Sequence, residues 1–211
     1  MLIVADEQTA GRGRGSNRWW SGPGSLSFSL LVDLIELRID RSRSPLMGLA
    51  VGAAVVGTLA PELTPHPTGL HWPNDIFVAG RKLGGILVEI PTVRHCVIGV
   101  GLNTNNTLDN APAPLRTTAT TMFELTGARH DHTTLLIGML RRMNTLLRQL
   151  ATAPESIGAL ADSLCLQHGR ELTLELSGRS TTGRCAGIAP DGAILLDTLE
   201  GRRAFYAGVL R

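Results

Sequence analysis

Trp72-Pro73-Asn74-Asp75-Ile76-Phe77-Val78-Ala79-Gly80-Arg81-Lys82-Leu83-Gly84-Gly85-Ile86-Leu87-Val88-Glu89 decides how this sequence folds. Residues 70–72 predict a short strand that ends at Pro73, where proline fixes the backbone and removes a ladder donor. Residues 76–78 and 83–90 predict the two arms of a hairpin about Ala79-Gly80-Arg81. Gly84-Gly85 interrupts the second arm, and a strand interior rarely carries such a pair without a bulge or a close ligand approach. Asn74 and Asp75 project from the turn. Asp75 suits Mg²⁺ or a phosphate-bound metal, although a Pro-Asn-Asp turn needs no ligand to exist. Lys82 enters the interrupted strand, where it either reaches into a pocket toward a carboxylate or phosphate or sits solvated on the turn.

Working outward, residues 1–5 read as a strand and 11–24 as a long ordered loop. Residues 25–32 alternate apolar and polar with the period of a half-buried strand. A helix over 44–61 is expected, with Ser44 as N-cap and Pro45 in the first helical position. Another strand covers 95–100 and runs into Gly101-Leu102-Asn103. Residues 105–116 read as a loop, 120–125 and 133–151 as a helix pair, and 154–162 as a short helix. The long helix places Leu136, Leu140, Met143, Leu147 and Leu150 on one apolar stripe. From residue 167 the texture changes to short strands separated by Ser177-Gly178, Pro190-Asp191-Gly192 and Glu200-Gly201, the pattern of a small β-barrel. The expected division is a domain over 1–166 and a barrel over 167–211.

The bulk numbers fit this organisation. A chain of 211 residues with 43% hydrophobic and 18% charged residues is globular in composition, and its length suits one to two domains. A net charge of +2 with scattered arginines gives no reason to expect DNA or RNA as the main partner. The apolar stretch 46–59 is short for a membrane span and holds three glycines, so no membrane association is expected. Cys96, Cys165 and Cys185 lie far apart without a CxxC pairing, which reads as reduced thiols in the cytoplasm. Of 20 basic residues, 19 are arginine and one is Lys82. A general bias toward arginine explains the missing lysines but not the one retained. Lysine presents a compact point charge where arginine presents a wide planar fork, so Lys82 is expected where a guanidinium fails.

Further segments carry candidate chemistry. Gly11-Arg12-Gly13-Arg14-Gly15 alternates residues that let a ligand approach the backbone with residues that clamp anions bidentately. The alternatives are a flexible surface loop or an RGG-like RNA contact. Trp19-Trp20 lies beside it, either shielding a planar ligand or filling core. Gly99-Val100-Gly101-Leu102-Asn103 places an amide at a strand end.

In this order and spacing the segments resemble biotin protein ligases. The resemblance runs through Gln8-x-x-Gly11-Arg12-Gly13-Arg14, Trp19, Trp72-Pro73-Asn74-Asp75, Arg81 to Glu89, Gly99-x-Gly101-x-Asn103 and the β segment over 183–197. Lipoate ligases share the fold but match these strings less well. The resemblance implies an α/β (α+β) mixed-sheet catalytic domain followed by a small SH3-like β-barrel. It implies ATP-dependent activation of biotin to biotinyl-5′-AMP, with Mg²⁺, and transfer to a lysine of a biotin carboxyl carrier domain. Lys82 and Arg14 are then the catalytic residues. Gln8, Gly11, Arg12, Gly13, Arg14, Trp19, Lys82, Gly84, Gly85 and Gly101 bind biotin or the adenylate. Arg18, Asn74, Asp75 and Asn103 serve the nucleotide, and Asp75 the Mg²⁺. A homodimer is compatible with the resemblance.

Relatives usually carry, upstream of the Gln-x-x-Gly loop, a strand and helix with a Ser/Thr-Thr-Asn string that binds the biotin ureido group. The present sequence opens just before the loop, which predicts a biotin pocket short of one wall. It also shows no DNA-binding helix pair, so no repressor role is expected. Gly15-Ser16-Asn17-Arg18 is less basic than the matching stretch of many relatives. A non-catalytic biotin- or nucleotide-binding homologue and a lipoate or octanoate ligase are the alternative readings.

Overall fold

The computed structural model describes residues 1–210; Arg211, the last residue of the expected barrel, lies outside them. Helix α1 (Ser44–Leu59) is apolar on every side, and such a helix must be covered all round. On one side it packs against the main sheet. Its Gly52 sits so close that an added Cβ would lie 2.6 Å from Leu70 and 3.4 Å from Ile86. On the other side it meets two helices, α4 (His132–Thr152) and α5 (Pro154–Ser163).

The expected Ser44 cap is displaced. A 3₁₀ turn (Arg41–Arg43) runs into the helix, and Asp40 caps that turn by accepting from Ser42 N at 2.8 Å. The helical run therefore extends over Arg41–Leu63, 23 residues that are long and apolar enough to cross a membrane by length and composition. The apolar stretch is longer than its sequence suggested, yet 72% of its 18-residue apolar window is buried inside the fold, as in a core helix. On α4 the buried stripe is Leu135, Met139, Met143, Leu147 and Leu150. Leu136 and Leu140 flank it half-buried. Within the expected 105–116 loop a short helix, α2 (Ala113–Thr118), begins at Pro112. It is followed by α3 (Met122–Thr126), capped by Thr121 and ended by left-handed Gly127.

The main sheet contains β1 (Leu2–Ala5), β2 (Leu26–Asp33), β3 (Thr68–His71), β4 (Asp75–Val78), β5 (Arg81–Glu89) and β6 (His95–Leu102). Their spatial order is β1-β2-β6-β5-β4-β3. Every ladder in it is antiparallel, and parallel pairing is confined to isolated bridges such as Leu70↔Cys165 and Lys82↔Ala119. Leu70, Ile76, Ile86, Ile98 and Phe28 belong to the core beneath α1. The opposite face carries few large side chains.

The second sheet contains β7 (Glu171–Leu176), β8 (Arg179–Ile188), β9 (Ile194–Thr198), β10 (Gly201–Phe205) and β11 (Val209–Leu210), in the order β10-β9-β8-β7-β11. It is the small β-barrel that the turn spacing implied, SH3-like as the resemblance implied. The chain entering it is stitched to the edge strand β3, since Leu70 N donates to Leu164 O (2.8 Å) and Leu166 N to Leu70 O (2.9 Å). Trp72, 2% exposed, adds a side-chain bond from Nε1 to the Gly192 carbonyl at 3.0 Å.

Replacing Trp72 by Phe keeps the apolar bulk and orphans that carbonyl. The expected cost is about 1–3 kcal/mol, seen as a fall in Tm of roughly 2–10 °C for a chain of this size by calorimetry. An unchanged Tm would remove this bond from the set that joins barrel and sheet.

Candidate active site

The site begins as a gap in the sheet. Across the strands, Ala5, Ser27, Gly101, Gly85, Asp75 and His71 are successive register partners. Direct partners present their side chains on the same face. Two adjacent glycines at the centre of this row leave a hollow on the face opposite α1. Ser29, Gly99 and Leu87 form the next row and continue it.

A bulge then turns Lys82 into the hollow. Between β4 and β5, Ile76 pairs with Gly84, but Phe77 pairs with Lys82, so Leu83 is an extra residue. Side chains alternate along a strand, and without the extra residue Lys82 would point with Gly84 toward the helices. With it, Lys82 shares the face of Asp75 and Gly85. Its Nζ lies 2.7 Å from Asp75 Oδ1, with the two side chains 34% and 23% exposed. A Cβ on Gly85 would lie 3.6 Å from both Cε and Nζ of Lys82, so the lysine lies over the glycine.

The Gly-Arg loop folds across this hollow as a small hairpin. Gly13 N donates to Asn17 O (2.8 Å), Asn17 N to Arg14 O (3.1 Å) and Trp19 N to Gly11 O (3.0 Å). Gly11 is required because a Cβ there would lie 2.5 Å from the Trp19 carbonyl oxygen. Arg14 Nη1 donates to Asn74 Oδ1 at 3.3 Å, and Asn74 Nδ2 to the Ile86 carbonyl at 2.7 Å. Arg12 pairs with Glu89 at 2.6 Å. The Trp19 indole lies on Gly101, whose missing Cβ would sit 2.5 Å from Cε2. Its Nε1 is buried without a partner. Trp20 packs instead on Gly22.

The loop and the hollow enclose a cavity of about 1000 Å³. Gln8, Gly11, Arg12, Gly13, Arg14, Arg18, Trp19, Asn74, Asp75, Lys82, Gly85 and Gly101 all line it. Two expected residues do not. Gly84 faces the other way, against Leu102 and the Gly101 carbonyl. Asn103, 4% exposed, is held inside the fold, where its Oδ1 accepts from Asn106 and its backbone bonds Leu83 and Met122. It fixes the strand end and the start of α3.

The cavity also has walls that motif reading did not supply. The barrel contributes Leu176, Ser177, Gly208 and Val209, which become neighbours only through tertiary packing. His71 lines the cavity as the cross-strand partner of Asp75, and stacks on Phe77 at 4.4 Å between centroids. Burial pushes its pKa below the ordinary histidine value, Lys82 and Arg170 push the same way, and Asp75 opposes them. The shift favours the neutral imidazole beside the ion pair. No group of three or more His, Cys, Asp or Glu side chains suited to a metal exists among the described residues.

Residues 1–103 match the pattern described as the Biotin/lipoate A/B protein ligase family, and residues 168–209 match the Biotin protein ligase C terminal domain. The bifunctional ligase/repressor BirA of Bacillus spizizenii is 31% identical over 211 residues, covering 98% of this chain. The present chain spans 64% of that relative's length. The biotin–[acetyl-CoA-carboxylase] ligase of Mycobacterium tuberculosis is 32% identical over 200 residues, covering 93% of this chain and 73% of its own. Among solved structures, the biotin protein ligase of Aquifex aeolicus in complex with biotin and ATP superposes with a TM-score of 0.88 at 29% identity, covering 100% of this chain and 88% of that one. Fold, site strings and overall similarity agree, and the chain belongs to the biotin/lipoate A/B protein ligase family.

Proposed function

We propose that this chain activates biotin with ATP as biotinyl-5′-AMP and transfers the biotinyl group to a lysine of a carrier protein. The observation that carries the reading is Lys82, the only lysine of the chain, turned by a bulge into a cavity that faces the Gly-Arg loop. The relatives named as biotin ligases, and the solved ligase with biotin and ATP, support biotin and ATP as substrates.

In the first step a carboxylate oxygen of biotin attacks the α-phosphorus. The bond from that phosphorus to the bridging oxygen breaks, and pyrophosphate leaves. Two anions must meet, and fixed positive charge in a partly dry site lowers that repulsion. Lys82 supplies the charge. Its pair with Asp75 is partly exposed, and such pairs hold weakly, so Nζ can exchange the carboxylate for phosphate oxygens. Arg14, tethered to Asn74, brings a second cation from the loop. In the second step the carrier amine attacks the acyl carbon, AMP leaves with the former carboxylate oxygen, and the amine loses its proton.

Mg²⁺ fits as a companion of the nucleotide. The protein offers Asp75 at the ion pair and no multi-carboxylate cage among the described residues, which suits a cation that keeps most of its ligands from phosphate and water. When bound it would neutralise phosphate charge. The barrel segment closing the cavity would exclude water from the mixed anhydride. The free, buried cysteines suit a reducing compartment such as the cytoplasm.

The direct test is biotin-dependent exchange of labelled pyrophosphate into ATP. The parent is expected to exchange, and lipoate to replace biotin poorly. Folded protein that binds biotin without exchange would make the chain a binding homologue. Lys82→Ala and Lys82→Arg should each lower the exchange rate by about 10²–10³-fold; parent-like exchange by Lys82→Ala would remove the lysine from the chemistry. Gly101→Ala pushes the Trp19 indole out of the hollow. It should raise the KM for biotin about tenfold with a smaller effect on kcat, and an unchanged KM would separate Trp19 from the biotin site.

A further inference from the structure

One polar side chain behind the site is buried and fully engaged. Gln167 stands where the chain enters the barrel and is 1% exposed. Its Oε1 accepts from the backbone N–H of Trp72 at 2.7 Å, and the Cys165 thiol approaches it at 3.8 Å. Its Nε2 faces the His71 ring, 3.4 and 3.5 Å from the two nitrogens. Gln167 does not line the cavity, but His71 and Trp72, which its side chain bonds, both do.

The Trp72 N–H is the last backbone donor before Pro73, which has none. Left buried and unpaired it would cost free energy, and the backbone would shift to satisfy it. The Gln167 carbonyl thus fixes where the Pro73-Asn74-Asp75 turn leaves β3. Its amide steadies His71, whose other neighbour is Phe77. His71 is the cross-strand partner of Asp75, and Phe77 that of Lys82. The two residues of the ion pair thus each have a neighbour in the stack that Gln167 closes.

We propose that Gln167 is a positioning residue for adenylate formation, holding the Trp72–Asp75 turn and His71 so that Asp75 and Lys82 meet at the productive place. The inference rests on the adenylation reading for its kinetic consequence, but not for its geometric one. An apolar residue would fill the same space; only an acceptor of the right length fixes the turn. Gln167→Glu keeps an acceptor for the Trp72 N–H and the shape, whereas Gln167→Leu keeps the volume alone.

Because Lys82 is the only lysine, trace acetylation reports on it directly by mass spectrometry, with the N-terminal α-amine as internal reference. Gln167→Leu, folded by circular dichroism, is expected to change Lys82 reactivity at least about threefold. The kcat for pyrophosphate exchange should fall about 10- to 100-fold, as a displacement near 1 Å would cause, with the biotin KM within about twofold. Gln167→Glu should restore both readouts. Parent-like Lys82 reactivity and kcat in Gln167→Leu would overturn the proposal, as would a Gln167→Glu protein as impaired as Gln167→Leu. Should Gln167→Leu fail to fold, Gln167→Asn takes its place, keeping the amide and losing the reach; parent-like reactivity there overturns the proposal equally. A parent protein without exchange would sink the adenylation reading alone, since Lys82 reactivity in the free protein still tests the geometry.

Discussion

The site depends on two missing side chains. Gly85 and Gly101 are direct partners on adjacent central strands, with Ser27 and Asp75 continuing their row. Any Cβ at Gly101 would enter the Trp19 indole, and one at Gly85 would fill the space beneath Lys82. Glycine inside a strand costs roughly 0.5–1 kcal/mol in chain entropy relative to alanine. The opposite face of the same strands offsets this. There Ile76, Ile86, Ile98 and Val100 are buried against a helix apolar on all sides. One face of the sheet supplies stability, and the other is left hollow for a ligand.

The bulge at Leu83 has the same logic at the scale of one residue. Strand alternation alone would send Lys82 and Gly84 to the same face, inside the helix layer. The inserted residue separates them, so the lysine reaches the hollow while Gly84 packs against Leu102. The resulting ion pair with Asp75 is short but partly exposed. A deeply buried pair would hold the lysine against any competing anion. A pair in this position keeps Nζ oriented and still available.

Much of this was legible in the sequence because the signals are local. Gly84-Gly85 demanded a bulge or a close approach, and the bulge begins immediately before the glycines. The Gly-Arg run demanded a loop near an anion, and all its expected residues line the cavity. Where the structure departs from the sequence reading, the causes are local too. The α4 stripe was misphased because Leu135 and Leu136, like Met139 and Leu140, are both apolar, so either phase fits the helical period. Helix α2 has six residues, too few to show a period at all. Gly84 and Asn103 were assigned by string similarity, and a string does not state which way a strand residue points. Gln167 and the barrel wall carry no local signature. Gln167 lies 95 positions from Trp72 in sequence, and only docking of the barrel on β3 brings them together.

The one retained lysine sits in a different geometry from the arginines beside it. Arg12 and Arg14 each engage a planar partner at the rim, Glu89 and the Asn74 amide, where a guanidinium has room to lie. Lys82 is held differently. Its terminal carbon and nitrogen run over Gly85 at ordinary van der Waals distance from where a Cβ would stand, with the carboxylate of Asp75 at its tip. A guanidinium is wider than an ammonium and binds through a fixed fork. An arginine here would spread its charge over that fork and meet Asp75 with a different geometry, instead of placing one point of charge where the proposed reaction brings two anions together. A chain that uses arginine at 19 of its 20 basic positions keeps its one lysine over the glycine hollow, against Asp75.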